Sequence, residues 1–253
     1  MHNNLVGAVL ILGANTPVAR AAARAFARKG HALYLADSTR DPLEPFAEKL
    51  RARYGVDVHC GVFEPQNYAS HRSFFRGVVA TCEIVDGVFL AFAYPGDQES
   101  AIRRVDEAVT IISRNFTGAV SILTHAATYF EDRQNGFIIA LTSTAADRGL
   151  RSNYVFGASK AGLSTYLEGL RARLHRQGIR VITVKPAAED AALGLGLDPE
   201  FAASFQSSPE EIGERVVEAL DHSTDVLYVP WFWRPVMSAV RLIPQGVLKR
   251  LPF

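Results

Sequence analysis

Apolar residues occur in short continuous runs that alternate with stretches of helical periodicity. The first run, residues 5–12, reads LVGAVLIL, and the fifth, residues 137–142, reads FIIALT. A run without alternating polar positions is typical of a strand that is covered on both faces, as in a parallel sheet. The pattern predicts seven strands, at residues 5–12, 32–36, 56–62, 84–93, 137–142, 179–184 and 226–229.

The segments between these runs predict helices. Residues 17–29 (PVARAAARAFARK) are rich in alanine and arginine at helical spacing, and Gly30 follows as a stop signal. Further helices are predicted at residues 42–54, before strand four, and at 99–130, 155–176 and 209–220. Strands separated by helices form right-handed βαβ units. The predicted fold class is therefore α/β, a Rossmann-type, doubly wound parallel sheet of seven strands in a single domain.

This architecture indicates where a ligand would bind. In open α/β sheets, ligands lie outside the carboxyl ends of the strands, near the point where the strand order reverses. The loops after strands one, two, four, five and six are therefore the candidates. We expect residues 1–229 to form the dinucleotide-binding domain and residues 230–253 to form an extension of it that is rich in tryptophan and arginine.

Composition and charge exclude several classes of protein. The 253 residues carry 27 Lys and Arg against 26 Asp and Glu, so the net charge of +1 gives no basic surface for nucleic acid. Cys60 and Cys82 fit no zinc or disulfide spacing, which favours a reducing cytoplasm and predicts no metal site. The N-terminus lacks the basic region of a signal peptide, and no apolar run could span a bilayer. These features predict a soluble, cytoplasmic enzyme or binding module.

A tight turn follows the first predicted strand. Its candidate cofactor-binding residues are Gly13, Asn15, Thr16, Pro17 and Val18. A glycine here lets the backbone approach a pyrophosphate, and the N-terminus of the next helix offers unpaired N–H groups. Only the first glycine of a dinucleotide fingerprint is present, so an ordinary strand–turn–helix is an equal alternative.

An acidic residue after strand two favours one nicotinamide cofactor over the other. Asp37 lies 24 positions after Gly13, where a carboxylate can accept hydrogen bonds from the adenosine ribose. It would repel a 2′-phosphate, which predicts NAD rather than NADP. Arg40 is the counter-argument, because a guanidinium could pair with that phosphate. A solvated loop aspartate is the alternative interpretation of Asp37.

The strongest motif follows strand five. Ser143 comes after this strand, and Phe156 opens the sequence FGASKAG, which contains Lys160. This pattern resembles the short-chain dehydrogenase/reductases, which carry a serine after strand five and a Tyr-x-x-x-Lys thirteen positions later. Ser143 and Lys160 match that motif, and Phe156 stands at the tyrosine position. Asn115, in the sequence NFTG, matches the family's helical Asn-x-x-Gly, and the resemblance covers residues 5–229.

The resemblance implies an oxidoreductase that interconverts a hydroxyl and a ketone by hydride transfer. In the family the lysine holds the cofactor ribose and lowers the pKa of the phenol, which exchanges a proton with the substrate oxygen. Ser143 would bind the same oxygen, and Asn115 would hold a water that links Lys160 to solvent. Phe156 has no hydroxyl, so the resemblance predicts that proton exchange is impaired.

Three explanations of Phe156 remain open. It is an engineered Tyr-to-Phe change, or it is natural and the protein is a non-catalytic NAD-binding pseudoenzyme or regulatory subunit. In the third explanation, Tyr154 or a water held by Ser143 and Lys160 supplies the proton. Restoring the hydroxyl at position 156 would distinguish a blocked enzyme from a pseudoenzyme.

Two loops depart from the family pattern. The family's Asn-Asn-Ala-Gly after strand four is here AFAY, and its Pro-Gly after strand six is PA. Side chains therefore replace glycines that give the cofactor room. Glu189 and Asp190 follow in the loop that closes over substrate in the family. The residues of these loops that we expect to border the cofactor are Ala91, Phe92, Ala93 and Pro186.

The last 28 residues differ from the rest of the chain. They contain both tryptophans, Trp231 and Trp233, and no acidic residue after Asp225. Tryptophan, apolar and basic residues together suit a bilayer interface or a lipid-like substrate, so peripheral membrane contact through residues 230–253 is one interpretation. The other is packing over the substrate cleft or a neighbouring subunit. The segment also resembles the tail of short-chain reductases that act on polyprenyl-phosphate sugars, which implies a small-molecule or lipid-linked hydroxyl or ketone substrate.

The resemblance also implies self-association. In the family the helices that carry the equivalents of Asn115 and Lys160 form the dimer face, so a homodimer or homotetramer is expected. A membrane-peripheral partner protein that works through its tail is a third functional hypothesis.

Overall fold

A seven-stranded sheet forms the centre of the computed structural model, which describes residues 7–187 and 206–250. The strand order is β3-β2-β1-β4-β5-β6-β7, all neighbouring pairs are parallel, and the order reverses between β1 and β4. The predicted fold class is confirmed. The strands are β1 Ala8–Leu12, β2 Leu33–Asp37, β3 Val58–Val62, β4 Val85–Leu90, β5 Phe137–Leu141, β6 Arg180–Pro186 and β7 Val226–Val229.

Helices cover both faces of this sheet. The first begins where the sequence predicts, because Thr16 caps it by accepting the Ala19 N–H and Pro17 occupies the first turn. The start of the first predicted strand, residues 5 and 6, lies outside the described residues. The helices are α1 Pro17–Arg28, α2 Glu44–Tyr54, α3 Tyr68–Cys82, α4 Gln98–Arg103, α5 Val105–Ile112, α6 Gly118–Arg133, α7 Tyr154–Leu174, α8 Pro209–Glu218, α9 Trp233–Leu242 and α10 Gln245–Leu248.

Two apolar layers explain why the strands read as continuous hydrophobic runs. Val9 and Ile11 of β1 belong to the core under α1, α2 and α8, whereas Leu10 and Leu12 belong to the core under α3, α6 and α7. All four side chains are fully buried. Because successive strand residues point to opposite faces, both faces of β1 must be apolar.

The prediction of one long helix at residues 99–130 is wrong. The chain breaks at Arg104, which is extended with φ −125° and ψ 112°, and a π-helical turn, Ser113–Thr117, separates α5 from α6. The break lets Ala101 of α4 and Ile111 of α5 pack against the same side chain of α7, Val155. A straight helix could not bring both residues to that contact, so tertiary packing overrides the local helical pattern.

The first helix packs closely against one from the C-terminal part of the chain. A Cβ at Gly213 of α8 would lie 2.6 Å from the Cβ of Ala21 in α1, so a side chain at this position would separate the helices. Ion pairs flank the contact, including Arg24–Glu210 at 3.3 Å. The pairs Arg28–Glu214 and Lys29–Asp221 lie alongside it.

The C-terminal segment packs against its own domain. Tyr228, Trp233, Met237 and Val240 form a small buried cluster with Ala187 at its border. Trp231 and Leu242 remain 73% and 83% exposed. Within residues 7–187 and 206–250, no helix is long and apolar enough to cross a bilayer. Residues 251–253 of the predicted tail, like Glu189 and Asp190, lie outside the described residues.

Candidate active site

The turn after β1 brings the backbones of two loops into contact. Gly13 has a φ of +80°, and a Cβ at this position would lie 2.5 Å from the backbone nitrogen of Phe92. The Thr16 N–H donates to the Gly13 carbonyl at 3.1 Å, which closes the turn directly before α1. Glycine is required here both for the left-handed conformation and for the approach of the loop after β4. The turn therefore presents the N-terminus of α1 at the carboxyl edge of the sheet.

Asp37, the last residue of β2, is fixed against this turn. One carboxylate oxygen accepts the Asn15 N–H at 2.8 Å, and the other accepts the Ser38 N–H at 2.8 Å. Arg40, which could have argued for a 2′-phosphate, donates instead to Glu44 at 2.8 Å. Asp37 therefore fixes a negative charge against the turn, and a positive charge lies nearby, because the Arg20 guanidinium donates to the Asn15 side-chain oxygen at 3.1 Å.

A cavity of about 130 Å³ lies at this edge of the sheet. Of the predicted cofactor residues, those that line it are Gly13, Thr16, Asp37, Phe92 and Ala93. Ala91 instead belongs to the core and donates its N–H to the Leu12 carbonyl at 2.8 Å. Pro186 ends β6, and Pro17 and Val18 begin α1. Asn15 holds Asp37 through its main chain.

Asn115 fastens the loop after β4 to the π-helical turn. Its amide oxygen accepts the Tyr94 N–H at 2.7 Å, and its amide nitrogen donates to the Tyr94 carbonyl at 2.7 Å and to the Ser159 hydroxyl at 3.3 Å. Asn115 is fully buried. Its contacts among the described residues connect the loop after β4, the π-helical turn and α7. The Tyr94 ring lies over Arg114, whose guanidinium carbon is 5.3 Å from the ring centroid.

Lys160 is buried in α7 beneath the end of β5. Only 1% of its surface is exposed, and its Nζ donates to the Leu141 carbonyl at 3.2 Å. Burial lowers the pKa of this ammonium to about 8, because removal from water disfavours the charged form. Its Nζ lies 5.8 Å from the ring centroid of Phe156, one helical turn earlier. The group can hold or release a proton near neutral pH.

Ser143 begins a short 3-10 turn, Thr144–Ala146, that packs on the start of α7. Its hydroxyl oxygen accepts the Ala145 N–H at 3.0 Å, and only 5% of the residue is exposed. A Cβ at Gly157 would lie 2.9 Å from the Ala145 carbonyl oxygen, so this glycine allows the turn to contact the helix. The hydroxyl of Ser143 and the ammonium of Lys160 are thus carried by two elements in direct contact.

The side chains of Tyr154 and Phe156 project from different sides of α7. Tyr154 is the first residue of the helix and is 45% exposed, whereas Phe156 packs against a cluster that contains Val155. Two residues correspond to a rotation of about 200° around an α-helix. The phenol of Tyr154 is therefore directed away from the side of the helix that carries Phe156 and Lys160.

Sequence reasoning missed a buried ionic cluster beside this turn. The fully buried carboxylate of Asp147 accepts hydrogen bonds from Lys185, Arg241 and, at 2.8 Å, Tyr228. Burial and the adjacent carboxylate raise the pKa of Tyr228 to about 12. The buried lysine near the end of β6, Lys185, was a local signal, since a charged side chain in a buried strand needs a partner.

No metal site is found in the part of the chain that the structure describes. None of its His, Cys, Asp and Glu side chains form a group of three or more that could hold an ion. Cys60 and Cys82 are free thiols. Burial raises the pKa of each to about 11, which keeps both protonated at neutral pH.

Comparison with known proteins identifies relatives along nearly the whole chain. The chain is 32% identical over 244 residues to an uncharacterized oxidoreductase of Mycobacterium tuberculosis, with 96% of both chains covered. It is 31% identical over 247 residues to an uncharacterized oxidoreductase of Streptomyces coelicolor, covering 96% of this chain and 95% of the relative.

Solved structures share the fold at lower identity. NAD⁺-bound xylitol dehydrogenase superposes with a TM-score of 0.77 at 22% identity, covering 88% of this chain and 97% of the other. A short-chain dehydrogenase from Sphingobium yanoikuyae in complex with NADPH gives 0.74 at 22% identity, covering 94% and 97%. Residues 7–196 match the family model described as short chain dehydrogenase. Together with the glycine turn after β1 and the buried lysine, this match shows that the chain belongs to the short-chain dehydrogenases, a family of oxidoreductases that use a nicotinamide cofactor.

Proposed function

We propose that this protein is an NAD-dependent oxidoreductase that interconverts a hydroxyl and a ketone on a small-molecule or lipid-linked substrate. The observation that carries the proposal is the buried ammonium of Lys160, which lies next to Phe156 and donates to the carbonyl of Leu141, two residues before Ser143. Such an ammonium serves proton exchange with a substrate oxygen, and the cofactor, when bound, supplies or accepts the hydride.

The residues at the carboxyl edge of the sheet fit a dinucleotide. The glycine turn leaves room for a pyrophosphate, because a Cβ at Gly13 would already meet the backbone of Phe92. Pro17 has no N–H and the Ala19 N–H donates to the Thr16 hydroxyl. The Val18 N–H would therefore be the first-turn group of α1 that donates to a phosphate oxygen. Asp37 would accept the ribose hydroxyls, and Lys160 would hold the second ribose.

We assign NAD rather than NADP on the charge beside the turn. Asp37 is held there by two N–H donors, and Arg40 is engaged with Glu44. Fluorescence titration with NADH and NADPH tests the assignment: NADH should bind at least about tenfold more tightly. Asp37→Asn should reduce that preference, and tighter binding of NADPH by the unchanged protein would contradict it.

We assign the remaining roles by position. Ser143 would donate its hydroxyl hydrogen to the substrate oxygen and hold that oxygen near Lys160. Asn115 would maintain the loop after β4 through its two bonds to the Tyr94 peptide, and this loop borders the nucleotide cavity. We also propose that it supports the water through which Lys160 exchanges protons with solvent.

We propose that Phe156 occupies the position of the family's catalytic tyrosine and that it limits the reaction. Its ring can fill the space of a phenol but can transfer no proton to the substrate oxygen. Phe156→Tyr should therefore raise kcat by about 10²- to 10⁴-fold with a panel of ketones and secondary alcohols. The affinity for NADH should change less than about threefold, because the two rings have the same shape.

Two control variants sharpen this experiment. Phe156→Leu alters packing without adding a hydroxyl and should give no gain. Tyr154→Phe should change little, because Tyr154 is exposed on another side of α7. Equal turnover of Phe156→Tyr and the unchanged protein would show that Phe156 does not limit the reaction. A failure of both to bind NADH would refute the nucleotide assignment.

A non-catalytic NAD-binding or regulatory protein is the second candidate. Phe156 favours it, as does the Tyr94 side chain, which occupies a loop position where the family has glycine and lies against Arg114. This candidate predicts NADH binding without turnover in Phe156→Tyr, whereas the oxidoreductase candidate predicts both.

The exposed aromatic and apolar residues of the tail support a proposal of peripheral membrane contact. Trp231 and Leu242 are exposed, and the exposed Arg234 lies between them in the chain, a combination suited to the bilayer interface. Flotation of the full chain with anionic vesicles should fall in the double variant Trp231→Ser, Leu242→Ser. The control Val62→Ser removes an exposed apolar group elsewhere and should float unchanged. Equal flotation of all three proteins would eliminate the membrane proposal.

A stripe of exposed apolar residues on α4 and α5 supports self-association. Ile102, Val105, Val109 and Ile112 are 58%, 78%, 53% and 41% exposed. On α5 their spacing places them along one side of the helix. We propose that a second copy of this chain covers the stripe in a homodimer or homotetramer.

A further inference from the structure

Asp147 connects the turn that begins with Ser143 to three other elements. Its N–H donates to the Thr144 carbonyl at 3.0 Å, which closes the turn. Its carboxylate is fully buried and accepts hydrogen bonds from Lys185, Tyr228 and Arg241. A single side chain therefore holds the turn against groups that are distant in sequence.

The three donors come from three different elements at the carboxyl edge of the sheet. Lys185 belongs to β6 and directly precedes Pro186, Tyr228 belongs to β7, and Arg241 lies near the end of α9. The cluster thus joins the C-terminal helix to the same edge of the sheet that carries the candidate active site. Because Asp147 contacts both elements, a displacement of α9 would also displace the turn.

A second contact joins the same two segments. Arg148, the next residue along, donates from Nη2 to the carbonyl of Ile243 at 2.7 Å, just beyond the end of α9. Two consecutive residues therefore contact this segment. Asp147 binds the side chain of Arg241, and Arg148 binds the main-chain carbonyl of Ile243. Two adjacent contacts restrict rotation as well as translation of the turn relative to the helix.

The balance of charge in the cluster distinguishes its members. Lys185 is only 6% exposed in its side chain, so its ammonium depends on Asp147 as a counter-charge. The Arg241 side chain is 50% exposed and can be solvated when it is free. Removing the charge of Arg241 leaves the buried Lys185–Asp147 pair intact and removes the ion pair between Asp147 and α9.

The turn is confined on its opposite side by α7. The carbonyl of Ala145 lies against Gly157, where a Cβ would be 2.9 Å from the carbonyl oxygen. The three-residue turn is therefore held between α7 and the Asp147 cluster, and Ser143 is the residue that precedes it. The location of the Ser143 hydroxyl depends on both supports.

We propose that Asp147 and Arg241 are positioning residues through which the C-terminal helix sets the place of the Ser143 hydroxyl. The proposal rests on the proposed function insofar as Ser143 binds the substrate oxygen. The mechanical coupling between α9 and the turn does not depend on that function and can be measured without a substrate.

Hydrogen–deuterium exchange of the full chain measures the coupling. In Arg241→Gln, peptides that cover residues 143–152 should exchange about tenfold faster than in the unchanged protein. Arg241→Lys, which keeps a charged donor, should restore most of the protection. Arg250→Gln is the matched control: it removes an exposed arginine beyond α10 that forms no ion pair with any described residue, and it should leave exchange unchanged.

Turnover then tests the positioning role. In the Phe156→Tyr background, Arg241→Gln should lower kcat about tenfold while KM and the affinity for NADH change less than about threefold. Equal exchange in Arg241→Gln and Arg250→Gln would overturn the proposal, as would faster exchange with an unchanged kcat. In a third outcome, Arg241→Gln exchanges faster, and every variant binds NADH but none shows turnover. That result would support the coupling between α9 and the turn and would refute the proposed function.

Discussion

The burial of Lys160 predicts that a neutral side chain of the same length makes the protein more stable. Lys160 is fully buried, and the pKa of its ammonium is about 8 against an ordinary 10.5. Its one hydrogen-bond acceptor among the described residues is the Leu141 carbonyl. Lys160→Met retains the unbranched shape and removes the charge, so it removes the desolvation cost.

The size of the effect follows from the change in pKa. A difference of 2.5 between 10.5 and about 8 corresponds to about 3 kcal/mol at pH 7, where Lys160 is protonated in both states. Loss of the hydrogen bond to Leu141 offsets about 1 kcal/mol of this. The free energy of unfolding of Lys160→Met should therefore exceed that of the unchanged protein by about 2 kcal/mol.

The pH dependence has a defined sign. Between pH 8 and pH 10.5 the unfolded chain binds a proton that folded Lys160 does not, so the contribution of Lys160 to stability becomes more favourable as the pH rises. The desolvation cost should fall to about 1 kcal/mol at pH 10, which cancels the advantage of Lys160→Met. Cys60 and Cys82 titrate in both proteins, so their effect drops out of the difference.

Urea unfolding followed by circular dichroism at a series of pH values provides the measurement. The difference in free energy between the two proteins should be largest near pH 7 and should vanish near pH 10. If Lys160→Met is less stable at pH 7, or if the difference is independent of pH, the desolvation argument is refuted. The same variant should lose turnover in the Phe156→Tyr background, which would show that the stabilising change acts on the active site.

Two further predictions concern the nucleotide turn and the exposed stripe. Gly13→Ala should lower the free energy of unfolding by at least about 2 kcal/mol and weaken NADH binding, because its Cβ would overlap the Phe92 backbone. Gly30 also has a positive φ, but a Cβ there would meet no atom within 4 Å. Gly30→Ala should therefore lower the free energy of unfolding only by the cost of backbone strain. Equal losses in urea unfolding would contradict the overlap argument. Val109→Asp should shift the chain to a smaller species in analytical ultracentrifugation, whereas Val247→Asp should not; an unchanged mass of Val109→Asp would refute the proposed interface.

The sheet could be predicted from the sequence because its strands are covered on both faces. The continuous apolar runs indicated that both faces are covered. Both bounds of the last strand, Val226–Val229, agree with the prediction. Strand four was predicted too long, since residues 91–93 remain apolar after the strand has ended at Leu90. Apolar residues that line a cavity and apolar residues in a strand look alike in sequence.

The helix pattern failed where long-range packing decides the backbone. The segment from Arg104 to the π-helical turn has good helical periodicity, but its breaks serve contacts with α7 and with the Tyr94 peptide. Nothing within the segment indicates those contacts, because their partners lie in other elements.

Local spacing found one part of the candidate site and missed another. Gly13, Asp37, Ser143 and Lys160 stand next to strand ends or on a single helix, so their neighbourhood follows from the fold class. Asp147 is joined to Lys185, Tyr228 and Arg241, which lie 38, 81 and 94 positions further along the chain. No periodicity in the sequence connects these positions. Only the three-dimensional arrangement of β6, β7 and α9 reveals it.

The contact between α1 and α8 affects how the protein is made. Arg24 and Glu210 are 186 positions apart, so α1 leaves the ribosome about 10 to 40 s before its helical partner is synthesised. During this interval the alanine-rich side of α1, which later meets Gly213, has no neighbour to cover it. The glycine turn at the start of α1 therefore gains part of its support late in synthesis, and a nascent chain that ends before α8 would leave this alanine-rich surface exposed to water.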